Sequence, residues 1–217
     1  MVVVLGIGGA VAYYVFGDSA PAKPKLSSSS CAATGGASPS SSPDGTWHIA
    51  KSKNTYVGYR IKELFGGATL KRDAVGRTPD ATGTLTIASN QVQKTTVTAN
   101  VTTLVSNRSP RDQYIHTHAL DSDRFPQASF TLSKPIALPA SAVAGNAASL
   151  QASGSLTLHG TTKPITLTLD TCWRGATIEV AGTAPIVLAD YGIDSPHTPI
   201  VSVDNHGSLE VHLLFSR

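Results

Sequence analysis

The chain has 217 residues, a formal net charge of +3 and only 14% charged residues. That size suits one all-β domain of barrel or sandwich proportions plus extra segments, and so small a charge, with unclustered basic residues, argues against a nucleic-acid partner. Two cysteines, Cys31 and Cys172, exclude a disulfide framework and a four-ligand zinc site, although one bridge between them stays open.

Residues 2–16 are almost wholly apolar and end at Gly17-Asp18. This run is at the short end of a membrane span. No basic residue precedes it, and a few residues upstream would supply both charge and length. The rivals are a secretory signal cut near Ala20-Pro21-Ala22, an A-x-A pattern, and a buried core element. We expect residues 1–17 to be a single N-terminal membrane span or a signal. Either places the domain outside the cytoplasm, at the cell membrane or secreted.

Residues 18–45 are rich in Ser, Pro, Ala and Gly and bury too little apolar surface to offset chain entropy, so a flexible linker is expected. Cys31 lies in it behind four serines, without the leucine-led box of a lipid acceptor. A free thiol or a bridge to Cys172 are the alternatives.

The texture changes at Thr46, and residues 46–217 form the domain. Trp47-His48-Ile49 opens it, and residues 56–63 alternate, with Val57, Tyr59 and Ile61 on one face. Residues 64–83 carry turn signals at Gly66-Gly67, Gly76 and Thr78-Pro79. Alternation returns over 84–88 and 94–105. Ser109 then suits a helix N-cap, Pro110 the first helical position and Asp112 the third, which predicts a helix to about Ala119. Strands follow over 128–137 and 150–158. A turn cluster spans His159 to Pro164, and a partner strand runs on from Ile165, so residues 154–170 read as an antiparallel hairpin with a leucine face and a threonine face. Further strands are expected over 177–180, 184–188 and 208–215. Roughly eight to ten antiparallel strands and one short helix result, and closure into a barrel is the fullest way to manage so many edges.

Three places carry a likeness to a known family. They are Trp47 with Tyr59-Arg60-Ile61-Lys62-Glu63; Arg111-Asp112 followed by Leu120-Asp121-Ser122, Phe125-Pro126 and Phe130; and Gly154-x-Leu156-Thr157-Leu158-His159-Gly160-Thr161-Thr162-Lys163-Pro164-Ile165. With the ending, Tyr191-Gly192-Ile193 to Gly207-Ser208-Leu209-Glu210, the chain from about Thr46 on resembles the YceI-like family of extracytoplasmic lipid-binding proteins. Residues 113–120 depart from the pattern of many relatives, so ligand contacts do not transfer there one by one. The resemblance implies an all-β, antiparallel, lipocalin-like barrel of about eight strands, holding a polyisoprenoid, quinone-like or other long-chain lipid, with no catalytic residues and no cofactor.

Periodicity alone leaves two readings of the aliphatic faces, a packed core or a lipid-sized cavity; the resemblance selects the cavity. Its expected lining is Tyr59, Ile61, Val97, Val101, Phe130, Leu132, Leu156, Leu158, Leu167 and Leu213. Entry of an acyl or prenyl chain gains about 0.8 kcal/mol per buried CH₂. Other chemistry reads weakly. His116 and His118 point apart on a helix, which argues against a shared metal. His159 reads as a hydrogen-bonding turn residue rather than a base, no serine sits in a nucleophile elbow, and Asp121 and Asp123 suit a loop. Arg111 has two readings, a lipid head group at the mouth or a salt bridge to a nearby Asp. The expectation is a lipid-binding protein rather than an enzyme, joined to the membrane through its N-terminal segment. The alternative is a ligand-free surface barrel acting as a protein-interaction module, with an occluded interior and an exposed apolar patch.

Overall fold

Alternating residues become strands over most of the domain, and their pairing explains how many can share one wall. The computed structural model describes residues 20–27, 42–66 and 68–217. The apolar run 2–16 and Cys31 lie outside them. No helix among the described residues is long and apolar enough to cross a membrane.

The strands are β1 (Gly45–Ile49), β2 (Tyr56–Phe65), β3 (Arg72–Thr78), β4 (Ala81–Ala88), β5 (Gln91–Asn100), β6 (Gln127–Leu132), β7 (Ile136–Ala137), β8 (Ala148–Leu158), β9 (Thr161–Arg174), β10 (Thr177–Val187) and β11 (Val201–Ser216). All pairings are antiparallel, in the order β1-β4-β5-β6-β8-β9-β10-β11-β2-β3. Because β1 also pairs with the end of β11, the sheet closes on itself. Along β11, β2 takes the first part and β1 the last, so those two share one place in the wall. β3 and β4 share the next place, and β6 and β7 both lie on β5. The eleven strands thus fill the eight places of a closed lipocalin-like barrel.

Two tight turns follow from local chemistry. Ser89-Asn90 (φ 51° and 56°) and His159-Gly160 (φ 49° and 71°) each join two strands with both central residues left-handed, as two-residue hairpins require. The turn at His159 is therefore shorter than the expected cluster, and Thr161 to Pro164 belong to β9. Pro164 is tolerated because β10 pairs with β9 only from Thr168 on, so the missing N–H falls on an unpaired edge.

Four other expectations change. β3 was hidden among turn residues: Gly76 breaks its apolar pattern because a Cβ there would stand 2.4 Å from the Tyr59 ring. β5 ends at Asn100, not at Val105, because Asn100 Oδ1 accepts from Thr102 N and caps the 3₁₀ turn Val101–Thr103. The two strands expected at 177–180 and 184–188 are one, continuous through Gly182, where a Cβ would meet Thr168 O at 2.2 Å. The helix α1 (Ser109–Tyr114) has Arg108, not Ser109, at its N-cap. Asp112 Oδ1 instead reaches back to Ser106, accepting from its N–H at 2.8 Å and its hydroxyl at 2.6 Å. The chain continues as a π turn, Ile115–Ala119, so the helical run does end where its composition changes. A second short helix, α2 (Ala140–Val143), lies between β7 and β8.

Candidate ligand-binding cavity

Inward residues along the strands are large and apolar, but they do not meet at the barrel axis. They leave two adjoining cavities of about 130 and 150 Å³. Each is about ten times what one water molecule needs. Val57, Ala99, Ala128 and Leu209 border both, so the cavities meet at a waist lined largely by small side chains. The lower cavity lies between the β4–β5 turn and α2, beside Trp173, Ile178 and Phe215. The upper one is roofed by α1 and the π turn, through Tyr114, Ile115 and Ala119. Walls so poor in polar groups favour a dry space open to apolar occupants.

Val97, Phe130, Leu132, Leu156, Leu167 and Leu213 border the lower cavity. Tyr59, Ile61, Val101 and Leu158 border the upper. The sequence reading passed over others, including Leu85, Val92, Trp173 and Val180 below and Leu188 and Ile193 above. The strand residues among them were legible from period two. Leu188 and Ile193 were not, because they come from an irregular connection carried over the barrel end.

Parts of all three sequence motifs meet at the upper end. Arg111 of α1 forms a two-pronged ion pair with Glu63 of β2, the glutamate buried and the arginine partly so, with Nε to Oε2 at 3.2 Å and Nη2 to Oε1. Its Nη1 donates to Ser106 Oγ (3.1 Å) and Asn107 Oδ1 (2.9 Å). Arg111 does form a salt bridge, but to a glutamate across the barrel mouth, since the nearby Asp112 is engaged by Ser106. Phe125 lies on the β8–β9 turn, edge-on to His159 at 5.0 Å, and a Cβ on Gly160 would stand 2.5 Å from its ring. His159 Nδ1 hydrogen bonds Tyr191 O at 3.0 Å, which ties the turn to the β10–β11 connection. Gly154, which opens the same motif, leaves room for Phe130: a Cβ there would fall 2.4 Å from the ring.

Tyr59 Oη is buried without a hydrogen-bond partner. Burial pushes its phenol well above the ordinary range, while the Arg111 charge pulls the other way, so the group stays a neutral hydroxyl. His116 Nδ1 lies 3.2 Å from Ser122 Oγ, and His118 stacks on Tyr114 at 5.1 Å. Among the described residues, no three His, Cys, Asp or Glu side chains stand together as a metal site.

The YceI-like domain model matches residues 47–215. The chain belongs to the YceI-like family. "Protein YceI" of Shigella flexneri is 29% identical over 175 residues, 76% of this chain and 81% of that protein. The UPF0312 protein VPA0850 of Vibrio parahaemolyticus is 30% identical over 127 residues, 55% of this chain and 61% of that protein, so the chain spans about three fifths of that relative. Among solved structures, a polyisoprenoid-binding domain from Saccharophagus degradans superposes with a TM-score of 0.57 at 13% identity, covering 79% of this chain and 97% of that one. BcnA of Burkholderia cenocepacia gives 0.54 at 19% identity, covering 72% and 95%. At such identities the likeness is one of fold, the YceI-like barrel.

Proposed function

We propose that this YceI-like barrel binds a long apolar chain, an isoprenoid or a similar amphipathic lipid, and sequesters or carries it outside the cytoplasm. The observation that carries the reading is the pair of adjoining apolar cavities along the barrel interior. Burial of about 0.8 kcal/mol per CH₂ supplies the affinity without any directional contact. The polyisoprenoid-binding domain that shares this fold supports the choice of lipid class. Binding rather than catalysis is favoured because the polar groups at the upper end are taken up by one another: Arg111 by Glu63, and His159 by the Tyr191 carbonyl. The extracytoplasmic setting is supported by Cys172, which is disulfide-bonded, a state rare in reducing compartments. Residues 1–17 would then hold the barrel near its lipid source.

Native mass spectrometry of the full chain, purified from a lipid-containing host and followed by organic extraction, tests the reading. A stoichiometric adduct with an isoprenoid mass pattern is expected. A bare mass that stays bare after incubation with prenyl lipids and quinones would sink it.

A further inference from the structure

Residues 20–27 lie along the outer wall of the barrel, and the order of their contacts gives the segment a direction. Pro21 O accepts from Arg60 Nη2 at 2.6 Å and Ala22 O from Arg77 Nη2 at 2.7 Å, and Ser27 donates from its N–H and hydroxyl to Glu179 at 2.9 Å each. Arg77 stands level with Gly58, below Arg60 on the wall, and Glu179 stands level with Leu214, lower still. The segment therefore descends, and followed backwards it climbs towards Phe65 and the upper rim. Five residues lead back from Pro21 to Phe16, the end of the apolar run, and five lead up β2 from Arg60 to Phe65. Either stretch spans about 17 Å when extended. A bilayer that holds the apolar run would then lie beside the upper rim, not the lower one.

That rim carries side chains suited to such a neighbour. Among the described residues, the large hydrophobic side chains that stand exposed are Leu70 at 76%, Ile200 at 74% and Val105 at 56%. Leu70 lies between β2 and β3, and Ile200 immediately precedes β11, both at the upper end. Their two loops are braced together. Gly66 N donates to Ile200 O at 2.7 Å, and Lys71 Nζ meets Asp204 Oδ1 at 2.6 Å. A Cβ on Gly66 would stand 2.4 Å from Pro199 O, so the close approach needs glycine. A single exposed aliphatic side chain is ordinary on a protein surface. Here two stand on adjoining loops at the end towards which residues 27 to 20 climb. Val105 is apart from them, bridged to Arg77 on the side wall.

We propose that the upper rim is a membrane-docking surface. With residues 1–17 in the bilayer, the barrel stands on the lipid through Leu70 and Ile200, whose side chains enter the boundary between head groups and acyl chains, and the upper cavity faces the membrane. This rests on the attachment proposed above for residues 1–17 and adds an orientation to it. Two aliphatic side chains alone hold a surface weakly. A short tether makes the contact intramolecular, and the high effective concentration that results keeps the rim in place.

The test uses the full chain reconstituted in phosphatidylcholine vesicles whose acyl chains carry bromine, a short-range quencher of indole emission. Leu70→Trp and Ile200→Trp each add an emitter at the rim, and Ala144→Trp adds one at an exposed site just after α2, at the lower end. The emission that each adds to the parent protein, whose own Trp47 and Trp173 are buried, is compared in brominated and plain vesicles. Both rim variants should lose most of their added emission to bromine, while Ala144→Trp should keep its own. Equal quenching at the two ends, or no added quenching in any variant while the chain still floats with the vesicles, overturns the orientation and leaves the attachment standing. A chain that stays behind when the vesicles float overturns the attachment itself, and this inference with it.

Discussion

β2, β10 and β11 bury side chains on both of their faces, and they do so by opposite means. Inward, Ile61, Ile178, Val211 and Leu213 are buried along the apolar walls of the barrel interior. Outward, the same strands carry Arg60, Glu179, Glu210 and His212, all buried, with Glu210 at 0% exposure. These side chains pair in two groups. Glu210 receives Arg60 at 2.5 Å and Arg77 of β3 at 3.1 Å, Asp73 receives Arg60 at 3.0 Å, and His212 Nε2 lies 2.8 Å from Glu179.

Residues 20–27 run across this outer face and join both groups. Pro21 O accepts from Arg60 (2.6 Å) and Ala22 O from Arg77 (2.7 Å), while the N–H and hydroxyl of Ser27 donate to Glu179 at 2.9 Å each. Cys172, which faces Glu179 across the β9–β10 ladder, is disulfide-bonded, and the chain's other cysteine, Cys31, lies outside the described residues. The contrast teaches how tolerant each face is. Apolar burial is non-directional and degrades by degrees. A buried ion network adds little net stability when intact and loses much when one member is removed.

The largest expected effect follows from that asymmetry. Glu210→Gln leaves Arg60 and Arg77 side by side without their shared carboxylate, and should lower unfolding free energy by about 3–5 kcal/mol in urea denaturation. A loss below about 1 kcal/mol would make the two faces equivalent in tolerance. Next, reducing the disulfide at Cys172 frees whatever it holds against the outer face, and should cost about 2–4 kcal/mol, read as a lower denaturation midpoint with dithiothreitol than without. On the inner face, Leu213→Ala should cost about 2–3 kcal/mol, near the lower end for such truncations, because its side chain borders space that is already empty. That variant should keep its lipid, since the cavity only widens; loss of the lipid adduct in native mass spectrometry would contradict this.

The smallest effect is one of pH. Burial pushes the Asp73 carboxyl up, but hydrogen bonds from Lys62 and Arg60 outweigh it and hold the group below its ordinary value of 3.8. A carboxyl depressed in the folded state stabilises the protein above its unfolded pKa, and that stability is lost as pH falls through the folded value. Asp73→Asn should therefore be less stable than the parent near pH 7, with the gap closing as pH falls below about 3.8. A gap of constant size down to about pH 2 would assign the effect to packing instead.

How much of this was legible beforehand divides along the same line. The inner face was readable, because a period of two is a local signal and every second residue of β8, β9 and β11 repeats it. The hairpin at His159-Gly160, the short helix near Pro110 and the inward set of lining residues all came from that periodicity and from turn chemistry. β3 escaped because Gly76 makes room for a ring from the neighbouring strand, a requirement invisible within its own residues.

The outer face was hidden in the same way. Arg60, Glu179, Glu210 and His212 occupy positions that alternation assigns to solvent, and only contacts 13 to 158 residues away in sequence make them interior. Arg111 belongs with them, since its partner Glu63 lies 48 residues back along the chain.

Sequence by itself determined the barrel class, the strand faces, the tight turns and the family motifs, because each of these is set by neighbours within a few residues. Only the tertiary structure decided that the inward side chains stop short of filling the barrel, that parts of three motifs meet over one cavity, and that a segment before the domain covers charges on its wall. Those outcomes depend on where the sheet closes and what then stands opposite what, and closure is a property of all the strands together.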